Sequence, residues 1–564
     1  MHYRPDHYYR YDEMTEWLLH VADNHTELVD LRSIGTSPEG RDIWVVALTD
    51  RKTGEADHKP AYWIDGNTHA SEVMGSAAAL FTIDFVVEHA DSPEIAQLLT
   101  SRALYVAPRI NPDGAEWCLE TGKYVRSARR LYPEQRPRPG FVEEDVDGDG
   151  EILQMRVPDP QGAWKLSADD PRLLVPREPW DTDGPFFHLY VEGRFEEPAA
   201  SDPQLPVRDD PHALDFNRNY PYGWSPERDQ RGAGKYPLSE PETRAVADFL
   251  SEHRNVFGAL TYHTYSGVLL RPYCDRPDLE IPKFDLGIFD LLGERCEHHT
   301  GFPCVSTYHD FRYDRSGSIA GAFDDWAFDH LGIHAFTMEL WCPWKEAGLD
   351  FSDDFLRFFR GRTEEENLEM LRWNDEALDG EGFVDWYPFE HPQLGDVEIG
   401  GWRWMFTWRN APEKRLESEC ERACLFSLDH AKAGPLPVID AEVEHIGGDV
   451  HRLTARLQNH GFLPTSVTEH AREEGVVRDL HVDLELSADL ELLQGTAHRR
   501  IEHLEGYADV TQPHASAFTW RGETRGHRRE IDWLVRGEGS ARIEWHGDGI
   551  GRVDEEIQIE PQIG

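Results

Sequence analysis

A chain of 564 residues with 39% hydrophobic content, 18 Trp and 26 Phe is long enough for two to four domains and too apolar for a disordered polymer. Its 106 acidic residues against 57 basic ones give a formal net charge of −49, a field that repels nucleic acid and anionic membrane surfaces alike. No run of about 18 apolar residues occurs, so no membrane-spanning helix is expected.

The seven cysteines form no CxxC pair and suggest neither a disulfide frame nor a zinc ribbon. Only nine of the basic residues are lysines. Few Lys beside many Asp, Glu and Arg suits concentrated salt: at about 1 M the Debye length falls to roughly 3 Å, and a carboxylate-covered surface stops repelling itself. The N-terminus, Met1-His2-Tyr3-Arg4-Pro5-Asp6, has no basic region, apolar stretch or cleavage signal, and a cytoplasmic protein is expected.

Taken in order, residues 11–22 space Tyr11, Met14, Trp17, Leu18 and Val21 as an amphipathic helix would. Leu28 to Leu31 and Ile43 to Leu48 read as strands, joined by the turn-rich Gly35 to Arg41. A short apolar run, Tyr62 to Ile64, ends in Gly66-Asn67 and delivers His69 and Glu72 at the mouth of an Ala-rich helix, Met74 to Val87. An imidazole and a carboxylate three residues apart at the end of a strand suit a zinc ion. His470/Glu473 and His527/Glu530 repeat the spacing without the strand–turn–helix punctuation, and read as solvated polar pairs. Ala103 to Pro108 is a further buried strand, followed by a turn at Asn111-Pro112-Asp113-Gly114.

From about 140 to 210 the texture changes to Pro, Asp and Gly with little periodicity, too long for an ordinary connection and read as an insertion. Within it Asp145, Asp147 and Asp149 precede Gly150 as in the first half of a calcium loop, but position 12 is Arg156, which excludes a standard EF-hand. A solvated acidic turn and a Ca2+ site completed by outside ligands are both open readings. Strand and helix patterns then resume: a helix from Pro241 to His253, a strand Gly258 to His263, a helix Leu286 to Glu297, and a strand His334 to Trp341 carrying the single carboxylate Glu339. A helix at Thr363 to Leu378, a Trp-rich stretch at 383–408 and a helix at 412–430 complete this part. Alternating strands and helices predict an α/β domain over 1–433, with its site at the carboxyl ends of the strands. After Gly434-Pro435-Leu436-Pro437, short alternating stretches predict a β-sandwich over 434–564, in which most of His445, His451, His460 and His481 are expected to be exposed.

The order of these motifs resembles the zinc carboxypeptidases of the carboxypeptidase A type, the M14 metallopeptidases. The markers lie across residues 5–375: His69-Ala70-Ser71-Glu72, Asn111-Pro112-Asp113-Gly114, Arg126-Ser127-Ala128-Arg129, Asp215-Phe216-Asn217-Arg218-Asn219-Tyr220-Pro221, Ser239-Glu240-Pro241-Glu242-Thr243, His263-Thr264-Tyr265-Ser266 and Phe336-Thr337-Met338-Glu339-Leu340. The resemblance implies a mixed, mostly parallel sheet with helices on both faces. It implies one Zn2+ on His69, Glu72 and His263 with a coordination position left for water, and Glu339 as general base. Arg126 takes the place of the oxyanion-stabilising arginine, with Arg129 and Arg130 as competitors. Asn217 and Arg218 match the pair that grips a terminal carboxylate. Tyr313 is the candidate for the mobile tyrosine over bound substrate, with Tyr308 as its rival.

Ser71 departs from the Arg that digestive members often carry, which removes a contact beyond the scissile bond. Asp324, if it lines the specificity pocket, implies a basic terminal residue. The expected function is a zinc metallocarboxypeptidase acting on peptides with a free C-terminal carboxylate. A zinc amidohydrolase of acyl-amino acids or cell-wall peptides, and a non-catalytic metal-binding interaction protein, are the alternatives.

Overall fold

Tyr62 and Trp63 adjoin on one strand and face opposite ways, because successive side chains of a strand alternate. The Tyr62 ring lies 4.6 Å from that of His430, on the helix Glu413–Lys432. The Trp63 ring lies 5.3 Å from that of Phe249, on the helix Pro241–Glu252. A strand sandwiched between helices has no wet side, so all of Ala61–Gly66 is buried and reads in the sequence as an unbroken apolar run.

The computed structural model describes residues 2–133, 140–196, 212–312, 319–351, 354–508 and 526–560. This strand belongs to an eight-stranded sheet built from β1 (Val29–Thr36), β2 (Asp42–Leu48), β3 (Ala61–Gly66), β4 (Ala103–Ala107), β5 (Val256–Thr264), β6 (Val268–Arg271), β7 (Cys304–Ser306) and β8 (His334–Leu340). Their order is β1-β2-β4-β3-β5-β8-β6-β7, with β4, β3, β5 and β8 mutually parallel at the centre. Antiparallel pairs bring in β1, β2 and β6. The mixed, mostly parallel α/β sheet covered on both faces is therefore as expected. Parallel central strands end at the same edge, so whatever follows β3, β5 and β8 meets there.

Close backbone packing fixes that edge. A Cβ on Gly66 would lie 2.3 Å from the Gly75 carbonyl oxygen, and one on Gly75 would lie 2.7 Å from that of Tyr262. Only glycines let the helix Val73–Glu88 press its first turn onto the ends of β3 and β5. The expected turn at Asn111 is also a helix start: Asn111 caps Pro112–Thr121 by accepting the Gly114 N–H at 3.0 Å, with Pro112 in the first turn where its missing N–H costs nothing.

Residues 140–196 carry more order than their composition announces. Phe141–Glu143 pairs with Gly193–Phe195. Gln154–Pro158, Trp164–Leu166, Leu174–Pro176 and Phe186–Val191 form one six-stranded sheet with Phe383–His391 and Gly395–Trp402. Strands this short show no period, and two of the six strands come from the distant Trp-rich stretch. A small core of Phe141, Met155, Phe195, Val397 and Ile399 holds the two contributions together.

The C-terminal part is all-β, as expected. Pro437–Gly447, Val450–Asn459, Arg528–Gly537 and Leu490–Gln494 make one antiparallel sheet, and His498–Ile501, Leu480–Leu486, Gly539–Gly547 and Gly551–Ile559 the other. Inward residues such as Leu453, Val482, Trp533 and Trp545 form its own core. His451 is buried rather than exposed, on an inward position of its strand.

Candidate active site

The loop leaving β3 is shaped by Asn67, which takes a positive φ of 61° and donates its side-chain amide to the carbonyls of His69 at 2.7 Å and Ala70 at 3.2 Å. Asn111 ties the same loop to its neighbour, donating to the carbonyls of Thr68 at 3.2 Å and Ser127 at 2.5 Å. His69 and Glu72 are thereby turned toward His263, next to last on β5. All three are buried. His69 Nδ1 lies 3.0 Å from Glu72 Oε2, His263 Nδ1 lies 3.0 Å from the same oxygen, and the two nitrogens are 3.0 Å apart.

That triangle fits zinc. Tetrahedral ligands at 2.0–2.2 Å from one ion stand roughly 3.3 Å from each other. Two imidazole lone pairs and a carboxylate oxygen converging away from water need a cation, or a shared proton, between them. Burial alone would raise the Glu72 carboxyl, but His69 and His263 beside it hold it well below its ordinary range.

The opposite edge of His69 is also fixed. Its Nε2 lies 3.1 Å from Asp215 Oδ1, and Asp215 Oδ2 accepts from Arg126 Nε at 2.9 Å. The carboxylate keeps the proton on Nε2 and leaves Nδ1 free to ligate. Burial pushes the Asp215 carboxyl up, but Arg126, Arg218 and His69 bring it well below its usual value. Asp215 was in the sequence only as the first residue of a marker, and its spacing gave no sign of this contact.

Of the three candidate arginines only Arg126 reaches this cluster, with Nη1 3.2 Å from Glu72 Oε1. Arg129 stacks 4.7 Å over Trp117 and pairs with Glu39, and Arg130 pairs with Glu240 and Glu242. Glu339 stands opposite His263 in the β5–β8 register. Burial, then the negative charge of Glu72, pushes its carboxyl up to about 7.

Asn217 and Arg218 sit on the single turn Phe216–Arg218, capped by Asp215. Asn217 Oδ1 accepts from the Phe323 N–H at 2.8 Å, and Arg218 Nη1 donates to the Asn217 carbonyl at 2.6 Å. Tyr313 lies outside the described residues. Tyr308 has the Arg312 guanidinium 4.2 Å over its ring. Asp324 is buried, accepting from the Asp325 N–H at 3.0 Å and the Thr337 hydroxyl at 3.2 Å.

One cation was not foreseen. Arg409, in the Trp-rich stretch, brings Nη1 to 3.5 Å from Glu72 Oε1 and lies 5.1 Å over the Tyr265 ring. Ser71 deprives the metal loop of a guanidinium, and a segment far along the chain returns one beside it. Asn410 locks the two together, donating to the Ser71 carbonyl at 2.8 Å and accepting from the Met74 N–H at 2.9 Å.

The acidic turn at Asp145 is self-contained. Asp145 accepts from the N–H groups of Gly148 at 2.6 Å and Gly150 at 2.9 Å, and Glu192 from those of Val146 at 2.7 Å and Leu153 at 3.0 Å. These carboxylates hold the turn's own backbone, and of the two open readings the Ca2+ site near Asp145, Asp147 and Asp149 finds no support.

The zinc carboxypeptidase family profile (Peptidase M14) matches residues 14–155 and 191–356, and a domain of unknown function (DUF8731) matches 436–558. Among curated proteins the chain is 27% identical over 341 residues to carboxypeptidase B of Astacus astacus, covering 59% of this chain and 86% of that one. It is 24% identical over 350 residues to human carboxypeptidase A6, covering 59% of this chain and 60% of that one. Among solved structures, thrombin activatable fibrinolysis inhibitor aligns with a TM-score of 0.44 at 18% identity, over 76% of this chain and 75% of that one.

Proposed function

The chain belongs to the zinc carboxypeptidase family, and from that premise we propose that it releases C-terminal residues from peptides by metal-assisted hydrolysis. The observation that carries this reading is the triangle of His69 Nδ1, Glu72 Oε2 and His263 Nδ1, each 3.0 Å from the others, with Glu339 beside it.

His69, Glu72 and His263 would hold the ion. When bound there, zinc supplies Lewis acidity, lowering the pKa of water toward ~7 and polarising a carbonyl. Glu339 takes the proton of the attacking water on its carboxylate and delivers it to the departing amine nitrogen. Arg126, oriented by Asp215, directs its guanidinium at the charge that develops on the scissile oxygen, an interaction worth on the order of 10²–10³ in rate. The Asn217 amide and the Arg218 fork receive the free terminal carboxylate, for which a planar bidentate donor is suited.

Asp324 is the candidate for an acidic floor beneath the terminal side chain. A buried carboxylate favours a cation, so Arg is expected to be released faster than Phe from matched peptides, and equal release removes Asp324 from the pocket.

The decisive experiment measures bound metal and terminal-residue release from a peptide library, in concentrated salt, before and after chelation. Stoichiometric zinc and chelator-sensitive release of single C-terminal residues are expected. Zinc without hydrolysis of any peptide overturns the reading. Turnover confined to acyl-amino acids or cell-wall peptides replaces the substrate and keeps the chemistry.

A further inference from the structure

A cavity of about 630 Å³ opens beside the metal cluster, within the roughly 300–1,000 Å³ that ligand pockets occupy. Three of its residues join it to the reaction centre. Ser71, next to the ligand Glu72, is part of its wall, and so is Arg409, whose guanidinium reaches Glu72 Oε1 at 3.5 Å. Trp404, also in the wall, meets the ring of Tyr265 edge-on at 6.0 Å, two residues beyond His263.

One side of the wall, with Leu119 and Tyr124, lies within the residues that match the family, and the aromatic side facing it does not. Trp164 and Leu174 come from the inserted strands, and Trp386, Trp404 and Arg409 from the segment beyond residue 356, both outside the matched ranges. Two additions, far apart along the chain, share one antiparallel sheet and converge on this space. Its surface is aromatic where a solvated loop would be polar: Trp404 is 41% exposed, Phe406 is 37% exposed, and Trp404 stacks on Trp408 at 5.7 Å. Neither Asn217 nor Arg218 lines it. A peptide whose carboxylate they hold, with its scissile carbonyl at the metal, has only its upstream residues left to enter here.

We propose that this cavity binds the residues on the amino side of the scissile bond and selects apolar, aromatic side chains there, with Arg409 donating to upstream backbone carbonyls at the mouth. The inference rests on the carboxypeptidase reading and adds to it the substrate class: extended peptides with an aromatic residue ahead of the one released. Indole faces suit such side chains because offset and edge-on ring pairs add to the area buried. A guanidinium suits the mouth because it presents several N–H donors in a fixed plane.

The test compares kcat/KM for peptides with one common C-terminal residue. The series runs from blocked dipeptides to pentapeptides, with Gly or Phe at each upstream position. On the wild-type protein the Phe pentapeptides are expected to exceed both the Gly pentapeptides and the dipeptides by on the order of tenfold, the discrimination one apolar contact supplies. In Trp386→Ala and Trp404→Ala, loaded with zinc to wild-type content, that ratio should fall toward one. Equal kcat/KM across the wild-type series overturns the inference while the carboxypeptidase reading stands. An undiminished ratio in both zinc-loaded variants overturns the location. If no peptide is hydrolysed at all, the inference falls with the reading beneath it.

Discussion

Asp215 touches His69 on one side and Arg126 on the other, so one carboxylate orients both a metal ligand and the cation beside it. In Asp215→Asn the amide can offer its NH₂ to His69 Nε2 and reverse the ring's tautomer. Zinc affinity is expected to fall by about 10–100-fold, read by competition with a chelator. Glu339→Gln keeps the shape and removes the proposed base: metal content should stay near that of the wild type while kcat falls by about 10²–10⁴-fold. Because the base must be ionised, activity is lost as pH falls through its pKa. The free carboxyl sits near about 7 and a bound dication lowers it further, so the acid limb of kcat/KM belongs at or below about pH 7. A limb well above 7 assigns the proton transfer to another group. At this scale the sequence singled out His69, Glu72 and Glu339, whose residue types stand out in short apolar contexts. It did not reveal Arg409, which meets Glu72 from 337 positions away.

The helix Lys283–Thr300 shows how an element can be pinned by a single buried acid. Asp285 in its first turn accepts the N–H groups of Glu469 and His470, both at 2.8 Å, and so ties the all-β part to the catalytic part. Burial pushes this carboxyl up to about 7, against those two hydrogen bonds. Its folded pKa lies above the unfolded value near ~3.9, so the folded form holds the extra proton between them. Stability contributed by the group is therefore full below about pH 4 and declines as pH rises to about 7. Asp285→Ala leaves two buried donors unpaired and should cost about 1–3 kcal/mol. The gap between it and the wild type should be wider at about pH 5 than at about pH 8, measured by chemical denaturation. Long elements such as this one were legible because apolar residues recur at helical or strand spacing. The strands of the insertion were not, since Trp164–Leu166 and Leu174–Pro176 span three residues each and owe their pairing to a distant segment.

For the molecule as a whole, the net charge of −49 sets the conditions under which all of this operates. Some carboxylates are neutralised locally, as where Arg456 meets Asp440, Glu442 and Glu530 on one exposed sheet face. With 106 acids to 57 bases a surplus of 49 has no basic partner to match it, and these charges repel one another in dilute buffer. Raising salt from about 0.1 M to about 1 M shortens the Debye length from ≈ 10 Å to 3 Å, and the thermal midpoint is expected to climb with it. A midpoint indifferent to salt assigns the acidity some other purpose.

The helix Glu413–Lys432 covers Tyr62 of β3 and packs on Val73–Glu88, the helix that opens at the metal ligand, yet it lies wholly beyond the residues that match the family. During synthesis the ribosome has therefore released every ligand long before the piece that shelters the central strand appears. A shortened gene ending where the likeness ends encodes an open-sided sheet with its aromatic interior bare to water, prone to clumping rather than to turnover.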